Sequence, residues 1–124
     1  MPHWSDAYLD IPHTQLDCAE LVERALREVF GKNIVFPRKS CDDIDHRSGL
    51  IVDNAKDFAR PIDQPFDGCG VLMFARGRRA HMGLYCAIAQ GYVLHSHSLF
   101  GASMVQPINN MRFFKIEGFY AWLD

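Results

Sequence analysis

Three side chains of this sequence have the types and the setting for nucleophilic chemistry: Cys18, His81 and His95. A thiol attacks a carbonyl as thiolate, so a reactive cysteine needs surroundings that lower its pKa. The first turn of a helix supplies them, through unpaired N–H groups and the positive end of the helix dipole. Cys18 follows Asp17, a capping residue type, and opens an apolar stripe of helical period. The same N–H groups would hold the oxyanion formed when the thiolate attacks. His81 is the candidate base. It is expected to open a strand directly after an arginine-rich turn, and nearby Gly83 permits close backbone approach. His95 falls on the strand that the Gln90-Gly91 turn folds back, where it would hold the His81 ring in a productive tautomer. His97, two positions further, is the alternative for that third role.

The same residues also fit other uses. Cys18 belongs to the apolar stripe of its helix, and unreactive buried cysteine is common in such positions. His95 and His97 point the same way on a strand and with His81 would suit a metal. A cupin-like site would want a carboxylate shortly downstream, and none stands between Ser98 and Asn110. Nothing around Cys41, Cys69 or Cys86 resembles the setting of Cys18, and the last two stand in strand contexts as small core residues. His3, His13 and His46 lie in loop-like or irregular contexts and carry no signal.

Positioning such groups needs rigid elements, and the clearest is a helix from Asp17 to Phe30. Glu20 completes a capping box with Asp17, and Gly31 supplies a stop. Cys18, Leu21, Val22, Ala25, Leu26 and Val29 form its apolar face, with Glu20, Glu23, Arg24, Arg27 and Glu28 opposite. Before it, the chain to Pro12 reads as a short helix plus loop. Residues 34–67 are irregular, with a second helix expected over 48–58, ended by Arg60-Pro61. The period then becomes two. Strands are expected over 70–74, 81–88, 92–97 and 113–120, with Met82, Leu84, Cys86 and Ile88 on one face and His81, Gly83, Tyr85 and Ala87 on the other. Helices first and antiparallel strands last make an α+β order.

Composition bounds the rest. The 124 residues form one expected domain over 1–124, and 48% hydrophobic content is enough for a packed core. A formal charge of −2 argues against nucleic acid as a partner. The one dense basic run, Arg76-Gly77-Arg78-Arg79, reads as a solvated turn. No signal peptide and no membrane span are expected, which points to the cytoplasm of the producing cell or a phage particle. The four cysteines follow no zinc-ribbon spacing and are read as thiols.

These residues together resemble the NlpC/P60 cysteine peptidases. Asp17-Cys18-Ala19-Glu20-Leu21-Val22 is similar to their "D-C-S-G-L-V" helix start, and Phe36-Pro37-Arg38-Lys39-Ser40 to their "P-R-x-S" segment. Gly70-Val71-Leu72-Met73-Phe74 resembles the strand after their "G-D" turn. His81-Met82-Gly83-Leu84-Tyr85 is similar to "H-V-G-I-Y", and Val93-Leu94-His95-Ser96 to "F-V-H-A". Ile116-Glu117-Gly118-Phe119-Tyr120 resembles phage-tail-associated members. The resemblance implies a papain-like core, with N-terminal helices packed on a C-terminal antiparallel sheet. It also implies a Cys18–His81–His95 triad that cleaves amide bonds of bacterial cell-wall peptides through a thioester, with no cofactor. The expected partners are peptidoglycan peptides and, for a non-catalytic phage tail component that kept the fold, other tail proteins. Tyr8 matches a cleft tyrosine of the family. Ala19-Glu20 replaces its small Ser-Gly pair, and Asp67-Gly68-Cys69-Gly70 stands where its turn aspartate belongs.

Overall fold

The computed structural model describes residues 3–12, 14–15, 18–34, 59–75, 78–96, 101–111 and 114–123. Asp17, the expected helix over 48–58, Cys41, His13, His46 and His97 lie outside them, as do Arg76 and Gly77. A 3-10 helix, Trp4–Tyr8, is followed by one α-helix, α1 (Cys18–Phe30). Then come β1 (Ala59–Ile62), β2 (Gly70–Ala75), β3 (Arg78–Cys86), β4 (Tyr92–Ser96), β5 (Ser103–Pro107) and β6 (Phe114–Trp122). The architecture is α+β and mostly β: one antiparallel sheet in the order β1-β6-β2-β3-β4-β5, with α1 against β3 and β4. Among the described residues no helix is long and apolar enough to cross a membrane.

Helix α1 begins and ends as its sequence predicts. Cys18 is its first residue, and Gly31 follows Phe30 with φ of 67°. The Lys32 amide donates back to the Leu26 carbonyl at 3.0 Å, folding the chain over the last turn. Cys18, Leu21, Val22, Ala25 and Leu26 are buried. Val29 departs from the expected face: it is exposed, because the stripe has passed the sheet by the last turn. Glu23, expected on the solvent face, is buried.

The sheet separates two apolar clusters. Cys18, Leu21, Val22, Ala25 and Leu26 of α1 pack with Met82, Leu84 and Cys86 of β3 and Leu94 of β4. On the other face Val71, Met73, Val93 and Phe114 cluster, with Tyr85, Ile116 and Phe119 around them. Strand alternation divides β3 between the two, as the period of two predicts.

Three features of the sheet correct the sequence expectations. β3 starts at Arg78, so the expected arginine turn is partly strand: Arg78 and Arg79 pair with Ala75 and Phe74. His81 therefore lies inside the strand, just beyond a register shift, rather than opening it. Arg60-Pro61 belongs to β1, where Pro61 opposes Tyr120. Proline is tolerated there because among the described residues β1 is an edge strand beside β6. β5 was not expected. It is the other edge, and its Ser103-Met104-Val105-Gln106-Pro107 lacks a clean alternation of apolar and polar residues.

Candidate functional site

β3, β4 and β5 each contribute one side chain to a buried polar line. His81 Nε2 lies 2.8 Å from His95 Nδ1, and His95 Nε2 lies 2.7 Å from Gln106 Oε1. Both imidazoles are fully buried and Gln106 is 5% exposed. Register explains the meeting. Leu84 opposes Leu94 on the helix side, which turns Gly83 and His95 to the other face. Val93 opposes Gln106 and His95 opposes Met104, so Gln106 and His95 are diagonal neighbours on that face. A Cβ at Gly83 would stand 2.6 Å from the Leu94 carbonyl oxygen and 3.1 Å from the His95 Cβ, so only glycine lets β3 and β4 close up beside His95.

Phe114 covers the pair. Its ring stacks on His81 with centroids 4.8 Å apart and meets His95 edge-on at 5.2 Å. The two imidazoles themselves cross at 71°, so one ring's nitrogen aims at the other's edge. Imidazoles bonded to each other and packed against Phe114 have little room to turn.

Cys18 belongs to the other cluster. The ring of Phe30 closes against Gly68, which bonds Tyr85 next to the β3–β4 turn. The other end of α1 is about 18 Å along the helix axis at 1.5 Å per residue. Earlier in the chain, Pro12 is bridged to Ala102, just before β5. Cys18 is only 3% exposed and lies in the core between helix and sheet. His81 and His95 project from the opposite face. The structure thus joins the two histidines side chain to side chain and leaves Cys18 in the core between helix and sheet, on the other face from them.

The other described thiols are set differently. Burial pushes the Cys86 thiol up to about 12 and raises Cys69 as well. Both are core residues, as their strand contexts predict. Tyr8 does not line a cleft at Cys18. Its hydroxyl donates to Glu28 Oε1 at 2.7 Å, ten residues along α1 and about 15 Å from the helix start. Burial and then the Glu28 contact push this phenol up to about 12.

At the far end of the sheet a second polar cluster surrounds Asp67. Its carboxylate takes the Trp4 indole N–H at 2.9 Å and the Ala87 amide at 2.9 Å, and stands 3.0 Å from His3 Nε2. Burial pushes the Asp67 carboxyl upward, but the Ala87, Trp4 and His3 contacts outweigh it and hold it below its usual range. His3, which carried no signal in the sequence, is a fastener here.

Sequence reasoning missed Gln106 and Phe114. The available signal was positional. A strand returning after Gly101 alongside 92–96 would carry Met104 and Gln106 on the face of His95. Among the described residues no three His, Cys, Asp or Glu side chains gather as a metal would need, and His97 lies outside them. Compared with family models, curated proteins and solved structures, the chain matches none.

Proposed function

We propose that the chain is a cysteine hydrolase of the NlpC/P60 type that cleaves amide bonds in bacterial cell-wall peptides. Cys18 is the nucleophile, His81 the base and His95 the residue that orients it. The observation that carries this is the buried His81–His95 contact on the two strands against which α1 packs. His95 occupies Nε2 of His81, which assigns the thiol proton to Nδ1. The thiolate attacks the amide carbon and helix-start N–H groups hold the oxyanion. The His81 imidazolium gives its proton to the leaving amine, and a water deprotonated by the same ring then releases the acid from the thioester. Catalysis requires Cys18 Sγ and His81 Nδ1 to meet around the start of β3.

One observation favours the second reading, a tail component that kept the fold without turnover. The thiol and both imidazoles are closed off from solvent and lie on opposite sides of the sheet. Alkylation with iodoacetamide, read by peptide mass spectrometry, separates the two. For the hydrolase, Cys18 reacts in the native protein with a thiolate pKa below about 8.5, the value of free cysteine. Cys69 and Cys86 wait for denaturant, His81→Gln slows Cys18 at least tenfold (~1.4 kcal/mol), and Cys18→Ala ends peptide release from purified peptidoglycan. Equal, slow labelling of Cys18 in wild type and His81→Gln, with peptidoglycan left intact, would establish the structural component instead.

A further inference from the structure

The line of polar contacts does not stop at His95, and its last member carries chemical information. A side-chain carbonyl can only accept, so a Gln106 Oε1 lying 2.7 Å from His95 Nε2 requires the proton on that nitrogen. A neutral imidazole carries one proton. His95 Nδ1 is then a lone pair, and the 2.8 Å contact to His81 Nε2 requires the proton on His81 Nε2. The same rule leaves the His81 lone pair on Nδ1, the nitrogen assigned above to the thiol. Turning the Gln106 amide over reverses every step. Its NH2 would donate to His95 Nε2, His95 Nδ1–H would donate to His81 Nε2, and His81 Nδ1 would carry a proton and be useless as a base.

We propose that Gln106 is a positioning residue: its side-chain carbonyl sets the tautomer of His95 and, through His95, places the basic lone pair of His81 on Nδ1. Its position suits the task. Gln106 is on an edge strand, yet its side chain is turned inward and buried on the face of both histidines. A glutamine in such a place is costly unless its amide is bonded. The ring-to-ring contacts with Phe114 hold the two imidazoles so that neither can compensate by flipping. The tautomer assignment stands on geometry alone, and only its consequence for catalysis rests on the hydrolase proposed above.

The test is a long-range 1H–15N spectrum of the full chain labelled at histidine, recorded where both rings are neutral. The expected result is a protonated, pyrrole-type Nε2 and a pyridine-type Nδ1 on both His81 and His95. A pyrrole-type Nδ1 on either ring overturns the proposal, and no variant is needed to see it. Two substitutions extend the test. Gln106→Glu keeps an acceptor in place, and both tautomers should persist. Gln106→Met keeps the length without the acceptor, and His95 should populate both tautomers. If Cys18 is the nucleophile, its alkylation near neutral pH should fall by about tenfold in Gln106→Met and recover in Gln106→Glu, as loss of the competent tautomer dictates. Unchanged tautomers in Gln106→Met also overturn the proposal. An inert Cys18 with the expected spectrum defeats the hydrolase and leaves the tautomer assignment standing.

Discussion

At one end of the sheet His3 meets Asp67, and at the other His81 meets His95. Both are histidine contacts of about 3 Å, yet they are built on opposite rules. The His3 cluster contains a carboxylate with three donors around it, its side chains 19% and 39% exposed, and it joins the N-terminal 3-10 helix to the turns flanking β2 and β3. The His81 cluster runs through a second imidazole to a glutamine amide, is sealed from water, and spans three adjacent strands. A carboxylate beside a histidine satisfies it and stabilises the fold. The two imidazoles instead bond to each other and to an amide, a contact that needs no charge, and the proposed function uses the lone pair this leaves. The ion-pair-like cluster is the structural one.

The largest effect on that contrast should come from Phe114→Ala. The ring is 5% exposed, packs in the second cluster and covers both imidazoles. Truncating a buried phenylalanine costs about 3–4 kcal/mol, to be read as a lower urea midpoint with an unchanged slope. The same variant should admit water to His81 and His95, visible as faster hydrogen exchange at their ring nitrogens. If stability hardly moved, the dry character assigned to the histidine end would be wrong.

Asp67→Asn should cost less, about 1–2 kcal/mol, because charge-assisted hydrogen bonds count for less when partly exposed. Its signature is the pH dependence. The folded carboxyl is held below its ordinary 3.8, so the unfolded chain binds the proton first as pH falls. The contribution is therefore complete above about pH 4 to 5 and is lost as pH drops through the folded value. Urea midpoints of wild type and Asp67→Asn should differ most well above pH 3.8 and draw together as pH falls below it. A gap that stayed constant with pH would show that the carboxylate charge plays no part in the fastener.

How far these two ends were legible in the sequence follows from what sets each of them. Local patterns announced α1, its Gly31 stop and the face assignment of Met82 and Leu84 against His81 and Gly83, because each is decided within a few residues. The His81–His95 contact was legible because a short turn at Gln90-Gly91 forces neighbouring strands together. Gln106 was not. Its role depends on β5 pairing in a register that places it diagonally from His95, and an edge strand with a serine start and a proline end hides its period. The Asp67 cluster was equally hidden, since His3 and Trp4 reach it across more than sixty positions. Residue types suggested a chemistry for Cys18 but did not say on which side of the sheet it would be buried.

Tyr8 sharpens the comparison with the smallest expected effect. Sequence likeness puts it in a cleft near Cys18, whereas its hydroxyl is bonded to Glu28 toward the far end of α1. Tyr8→Phe keeps the buried ring and removes only that bond. Glu28 is about half exposed and regains water, so the loss should stay near 0.5–1 kcal/mol. Iodoacetamide labelling of Cys18 should be unaffected, because the hydroxyl is bonded away from the helix start. Tyrosine absorbance should still show one phenol fewer titrating, the one burial and Glu28 push to about 12. Slower Cys18 labelling in Tyr8→Phe, with the urea midpoint unchanged, would tie this hydroxyl to the thiol after all. The polar clusters of this sheet would then have to be redrawn with Tyr8 at the histidine end.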